Sequence, residues 1–183
     1  MVTSLSSEQL IQLSEKTHFS SNEVRSRHES FLKDFPDGVI SRKEFHDTYR
    51  QAFPGCQQND VQRYAEYMFN AYDIDCDGEV DFVDYIRTLS VTERGTMDEK
   101  LKWAFSMYDI NGDGQVSLKE ATEFLTSVHR LRGNGDRESA ERAARRIFRD
   151  LDINGDGLLS QSEFVVGAKN APIVRDLLEG GGV

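Results

Sequence analysis

Three twelve-residue stretches of this chain repeat one pattern of oxygen-bearing side chains around a fixed glycine. They are Asp73-Ile-Asp-Cys-Asp-Gly-Glu-Val-Asp-Phe-Val-Asp84, Asp109-Ile-Asn-Gly-Asp-Gly-Gln-Val-Ser-Leu-Lys-Glu120 and Asp152-Ile-Asn-Gly-Asp-Gly-Leu-Leu-Ser-Gln-Ser-Glu163. Each has side-chain oxygens at positions 1, 3 and 5, glycine at 6, an aliphatic residue at 8 and a carboxylate at 12. Calcium takes six to eight oxygen ligands at about 2.3–2.6 Å, and a loop of this length wraps the ion while glycine makes the sharp turn. A chain with three such loops is committed to a repeated supersecondary unit and to divalent metal.

The loops begin 36 and 43 residues apart, and a similar step back from Asp73 uncovers a damaged copy, Lys33-Asp-Phe-Pro-Asp-Gly-Val-Ile-Ser-Arg-Lys-Glu44. Gly38, Ile40 and Glu44 keep positions 6, 8 and 12. Lys33 and Phe35 replace two oxygen donors with a cation and an aromatic ring, and Pro36 stiffens the turn. This first loop is expected to keep the fold and bind no metal. Four tandem copies decide the architecture.

Helical spacing frames every loop. Val61, Tyr64, Ala65, Met68, Phe69 and Tyr72 lead into loop two, Leu101, Ala104, Phe105 and Tyr108 into loop three, and Ala144, Ile147, Phe148 and Leu151 into loop four. Ser41, Ser117 and Ser160 each precede a glutamate by three residues, so positions 9 and 12 form a capping box for the exiting helix; Asp81 and Asp84 form a weaker one. Ser6 with Gln9 and Ser20 with Glu23 start an extra N-terminal helix and its successor in the same way. One helix–loop–helix leaves an apolar face uncovered and must pair. Ile40, Val80, Val116 and Leu159 are placed to join loop one to two and three to four by short backbone bridges. Two lobes are expected, residues 1–91 and 92–183, and Arg132-Gly-Asn-Gly-Asp136 is expected to be an exposed, mobile connection.

The ligand sets differ between loops. Loop three offers Asp109, Asn111, Asp113, the backbone carbonyl of Gln115 and Glu120; loop four offers Asp152, Asn154, Asp156, the carbonyl of Leu158 and Glu163. Both end in glutamate, which reaches calcium with two oxygens. Loop two offers Asp73, Asp75, Asp77, the Glu79 carbonyl, Asp81 and Asp84. Asp84 is one methylene shorter, and compact monodentate ligation suits octahedral Mg²⁺. Loop two is therefore left open to Ca²⁺, Mg²⁺ or both.

The net charge of −10 argues against sequence-independent nucleic-acid binding. No apolar run is long enough to suggest a membrane span, and Met1–Glu8 lacks the regions of a signal peptide. Cys56 and Cys76 make no disulfide framework, so a cytoplasmic setting is expected. His18, His28, His46 and His129 are scattered without zinc spacing, and no nucleophile–base set or phosphate-cradling loop points to an enzyme. The seven arginines between Arg130 and Arg149 read as a solvated helix face. With four methionines the surface is not of the Met-rich, promiscuous kind.

Leu101-Lys-Trp-Ala-Phe-Ser-Met-Tyr-Asp109, Leu89-Ser-Val-Thr-Glu-Arg-Gly-Thr96, Phe164-Val-Val-Gly-Ala-Lys169 and Ile173-Val-Arg-Asp-Leu-Leu178 closely resemble the neuronal calcium sensor family, whose mark is also a Pro-containing dead first loop. The resemblance covers roughly residues 20–178, and Asp84 is similar to the last loop-two residue of the potassium-channel-interacting branch. It implies an all-α fold of four EF-hand units in two paired lobes, with an extra N-terminal helix and a short C-terminal helix. It also implies a calcium-exposed groove, here Phe31, Phe45, Tyr49, Phe69, Tyr85 and Leu89, that takes an amphipathic helix of a target channel, receptor or enzyme. Val2 stands where most of the family has glycine, and no Lys or Arg occurs in the first fifteen residues, so no lipid anchor and no calcium–myristoyl switch are expected. Arg27 and His28 stand where many members line the groove with an aromatic pair. The expected function is a calcium sensor; a calcium buffer and a constitutive regulatory subunit are the alternatives.

Overall fold

The structure is a computed structural model, described here for residues 5–133 and 136–170. The order is α1 (Ser7–Glu15), α2 (Ser21–Asp34), β1 (Val39–Ser41), α3 (Arg42–Ala52), α4 (Gln58–Tyr72), β2 (Glu79–Asp81) and α5 (Phe82–Arg94). After Gly95 come α6 (Met97–Tyr108), β3 (Gln115–Ser117), α7 (Leu118–Leu131), α8 (Arg137–Leu151), β4 (Leu158–Ser160) and α9 (Gln161–Asn170). The fold is all-α, four EF-hand units in two pairs plus the extra helix α1. The C-terminal helix expected around Ile173 and the N-terminal residue Val2 lie outside the described residues, as do Asn134 and Gly135 of the connection before α8.

Each pair is stitched by one short antiparallel bridge. Ile40 faces Val80 between β1 and β2, and Val116 faces Leu159 between β3 and β4. These position-8 side chains are at most 5% exposed, so the bridge is both backbone ladder and core. Capping boxes start the helices as the sequence implies: Ser6–Gln9 at α1, Ser20–Glu23 at α2, Ser41–Glu44 at α3 and Ser117–Glu120 at α7. Ser160 and Glu163 exchange the same reciprocal bonds. Thr96 and Glu99 form a further box at α6 that the loop pattern does not signal, because it lies between repeats. At α5 the box is only half made: Asp81 accepts from the Asp84 amide, and no return bond comes from Asp84.

Two further contacts set how the pairs sit. Phe19, 2% exposed, lies between the guanidinium groups of Arg27 and Arg94, 4.3 and 4.7 Å from its ring. The same arginines pair crosswise with carboxylates, Arg27 with Glu93 and Arg94 with Glu23. Arg94 also donates to the His18 carbonyl, while the His18 amide donates to the Ser90 hydroxyl and its ring meets Glu99. The segment between α1 and α2 is thus fastened to both sides of the α5–α6 turn. Between the two pairs, α4 also packs against α6 and α7.

Candidate metal centres

Loops two, three and four share one local construction. The entering helix ends one residue before the loop, and the first aspartate is its C-cap, with ψ between 80° and 90° at Asp73, Asp109 and Asp152. That carboxylate is then fixed by backbone amides across the loop. Asp73 accepts from Asp77 and Gly78 at 3.1 and 3.0 Å, Asp109 from Asp113 and Gly114 at 3.1 and 2.9 Å, and Asp152 from Gly155 and Gly157 at 2.8 and 3.0 Å. The turn that makes this reach requires positive φ at position 6, which Gly78, Gly114 and Gly157 adopt without a Cβ clash.

In loops three and four the remaining donors are tied together identically. Asn111 Oδ1 accepts from the Asp113 amide, its Nδ2 donates to Asp113 Oδ2, and Asp113 Oδ1 accepts from Gln115. Asn154, Asp156 and Leu158 repeat the set at the same distances. Position 12 closes the loop: Glu120 Oε1 accepts from the Asn111 amide and Glu163 Oε1 from Asn154, each at 3.3 Å. The second oxygens cap the exiting helices through Ser117 and Ser160, and the Ser160 hydroxyl lowers the pKa of Glu163.

Loop two is built differently at its end. One carboxylate oxygen each from Asp73, Asp75 and Asp84 lie within 4.8 Å of one another, the triplet of acidic groups that converges among the described residues. Asp84 is 5% exposed, and this burial, followed by the charges of Asp81, Asp75 and Asp73, pushes its carboxyl up to about 6. Burial also raises Asp109 in loop three. Such groups repel one another unless a cation stands between them, so the donor chemistry fits a divalent ion. Cys76, at position 4 with φ 59°, is exposed, its Sγ 3.8 Å from the Asp73 carbonyl oxygen.

Loop one is built differently at positions 1 and 3. Helix α2 runs on through Lys33 to Asp34, so position 1 is helical rather than a C-cap. Phe35 at position 3 packs its ring 5.3 Å from Phe31 and presents no oxygen. The bridge and the Ser41 cap survive, which are the parts of the repeat that pairing needs.

Of the six groove candidates, Phe31, Phe45 and Phe69 are buried, and Tyr49, Tyr85 and Leu89 are half-buried. They form two ring clusters: Phe31 with Phe82 and Tyr85, and Phe45 with Tyr49, Phe69 and Tyr72. Burial raises the Tyr49 and Tyr72 hydroxyls, the latter to about 12.

A family model described as an EF-hand domain pair matches residues 98–168. The chain is 36% identical over 176 residues to neuronal calcium sensor 1 of Lymnaea stagnalis, covering 93% of this chain and 91% of that protein. It is 37% identical over 179 residues to neuronal calcium sensor 1 of Aplysia californica, covering 95% and 92%. Recoverin of Homo sapiens is 34% identical over 179 residues, with 93% and 88% covered. The chain belongs to the neuronal calcium sensor family.

Arg27 and His28, singled out in the sequence, are both held by aromatic neighbours. Arg27 stacks on Phe19 and pairs with Glu93 at 2.7 Å, and its charge is felt at Tyr85. His28 is buried edge-on against Phe82, 4.7 Å between ring centroids, and burial lowers its pKa. Of the seven arginines, Arg142 pairs with Glu138, Arg145 with Glu141 and Arg149 with Asp150 along α8, and Arg130 pairs with Asp60 of α4. Among the described residues, no helix is long and apolar enough to cross a membrane.

Proposed function

We propose that this protein is a calcium sensor whose second EF-hand pair takes Ca²⁺ and whose loop two takes Ca²⁺ or Mg²⁺. The ligands are Asp109, Asn111, Asp113, the Gln115 carbonyl and Glu120 in loop three, and Asp152, Asn154, Asp156, the Leu158 carbonyl and Glu163 in loop four. Loop two contributes Asp73, Asp75, Asp77, the Glu79 carbonyl and Asp84. The observation that carries the reading is the matching hydrogen-bond framework of loops three and four, which holds positions 1, 3, 5 and 12 together on one loop. Bound calcium supplies the positive charge that these carboxylates lack. The names of the relatives support a sensor rather than a store of calcium.

The residues of this chain do the signalling. Glu120 and Glu163 sit in the first turns of the exiting helices α7 and α9, so a ligand shift at position 12 is a helix shift. In this conformation one oxygen of each is committed to the helix cap, and calcium in the loop would compete with the serine hydroxyl for that oxygen. Residues 1–91 and 92–183 act as the two lobes. The groove of Phe31, Phe45, Tyr49, Phe69, Tyr85 and Leu89 opens to an amphipathic target helix with apolar anchors at i, i+3 or i+4 and i+7. A ligand shifts conformation only through differential affinity, so the open state must be the one that holds calcium more tightly.

Calorimetric titration with calcium in excess magnesium tests this reading. Two sites are expected, and Glu120→Gln and Glu163→Gln should each weaken one. Unchanged heats in both variants would sink the ligand assignment. The buffer reading draws support from the burial of Phe31, Phe45 and Phe69. Calcium binding without a rise in hydrophobic-dye fluorescence would favour it.

A further inference from the structure

Helix α7 is buried on more sides than one EF-hand pair can cover. Ala121, Thr122, Phe124, Leu125, Thr126, Ser127 and Val128 are all buried, whereas a helix facing a single core hides a stripe of three or four positions in two turns. The second cover is α4 of the first pair. Phe124 stacks on Tyr64 at 6.3 Å and meets Tyr67 edge-on at 5.8 Å, while keeping Tyr108 of its own pair at 4.6 Å. Tyr64 in turn touches Tyr49 and Phe53, at 5.8 and 6.2 Å, so Phe124 is one ring removed from a groove residue.

The far end of α7 is fastened too. Arg130 pairs with Asp60 of α4 at 3.0 Å, and the Cys56 thiol, just before α4, donates to the Leu131 carbonyl at 3.3 Å. Two features make this seat separable. Thr122, Thr126 and Ser127 donate to carbonyls of their own helix, so their hydroxyls need no partner across the seam. Trp103, which meets Tyr72 edge-on between the two pairs, buries its indole N–H without an acceptor among the described residues, a cost to the closed arrangement.

Glu120 and Phe124 lie one turn apart on α7, so the position-12 residue of loop three and the residue seated on α4 move together. We propose that α7 is an intramolecular competitor for the groove, seated on its α3–α4 edge and withdrawn when an ion in loop three draws in Glu120. The proposal rests on the sensor reading, through calcium in loop three and the groove in the first pair.

The test uses the Cys56 thiol as reporter, in the full chain carrying Cys76→Ser. Its alkylation by iodoacetamide is measured with chelator and with saturating calcium, beside calorimetry on the same samples. Calcium should accelerate alkylation at least roughly fivefold, and Glu120→Gln should remove that response. In chelator, Arg130→Glu sets like charges against Asp60 and should itself accelerate alkylation by roughly fivefold, and adding Asp60→Arg should restore the slow rate. The same single variant should bind an amphipathic helical peptide more tightly than the parent. Loop three filled by calorimetry with Cys56 reactivity unchanged would overturn the proposal. Absence of calcium heats would instead overturn the sensor reading, and the charge-swap series in chelator would still decide whether α7 is seated as described. No acceleration in Arg130→Glu would then count against the seat.

Discussion

Asp84 shows how much one methylene does. A glutamate at position 12 of loops three and four reaches back both to its serine cap and to the backbone of position 3. The shorter Asp84 makes neither bond among those formed and is drawn instead toward Asp73 and Asp75. Lengthening it should relieve that cluster and supply a second oxygen to a large ion. Asp84→Glu is therefore expected to raise calcium affinity in loop two relative to magnesium, read by competitive titration of the two ions. An unchanged preference would place selectivity in the loop backbone.

His28 carries a second prediction at this scale. Burial against Phe82 keeps its folded pKa below the ordinary 6.5, with Glu29 opposing only weakly. As the pH drops through 6.5 the unfolded chain protonates this ring before the folded one does, so the unfolded state binds more protons and stability is lost as the pH falls. Above that pH the group contributes no slope. Urea midpoints in chelator should thus drop between pH 7.5 and 5, and His28→Phe should flatten the part due to this ring. An identical slope in the variant would remove His28 as its source.

At the scale of elements, α1 and α2 are held by more than their capping boxes. Phe19 is packed between two guanidinium groups that are themselves paired across α2 and α5, so ring, cations and carboxylates form one unit. Truncating a buried phenylalanine removes the transfer energy and leaves a cavity. Phe19→Ala is expected to destabilise by about 3–5 kcal/mol in chemical denaturation. Gly95 ends α5 beside this unit, and a Cβ there would sit inside contact distance of the Val91 carbonyl oxygen. Helix α6 begins just beyond, on the Thr96–Glu99 box, and Thr96→Ala should cost about 1 kcal/mol and loosen the His18–Glu99 contact. A loss confined to the N-terminal pair in either variant would show that the clasp does not reach across the turn.

At the scale of the whole molecule, charge and topology act together. The net charge of −10 is concentrated at the metal loops, and each pair shares one short bridge, so repulsion in one loop is felt by its partner. A ligand at one hundred times its dissociation constant stabilises the state it binds by about 2.7 kcal/mol per site. Chelation should therefore lower the melting temperature and speed amide exchange at Val116 and Leu159 more than at Ile40 and Val80, whose pair includes a loop lacking oxygen donors at positions 1 and 3. Equal exchange in both pairs, with and without calcium, would argue that the loops are rigid without metal.

Much of this protein follows from sequence alone, and for one reason. Ligand positions, capping boxes and the position-8 bridges are periodic within twelve residues, so spacing dictates which atoms meet. The altered start of loop one is legible in the same way, since Lys33 and Phe35 change both charge and helix length inside one loop. What the tertiary structure decided spans far more chain. Arg27 stacks on Phe19 and pairs with Glu93, and Arg130 of α7 meets Asp60 of α4, 70 residues away. No local period encodes such pairings, because they depend on how two finished EF-hand pairs bury their remaining apolar faces against each other. Phe124 reads as core in sequence, and only packing shows that it belongs to two cores at once.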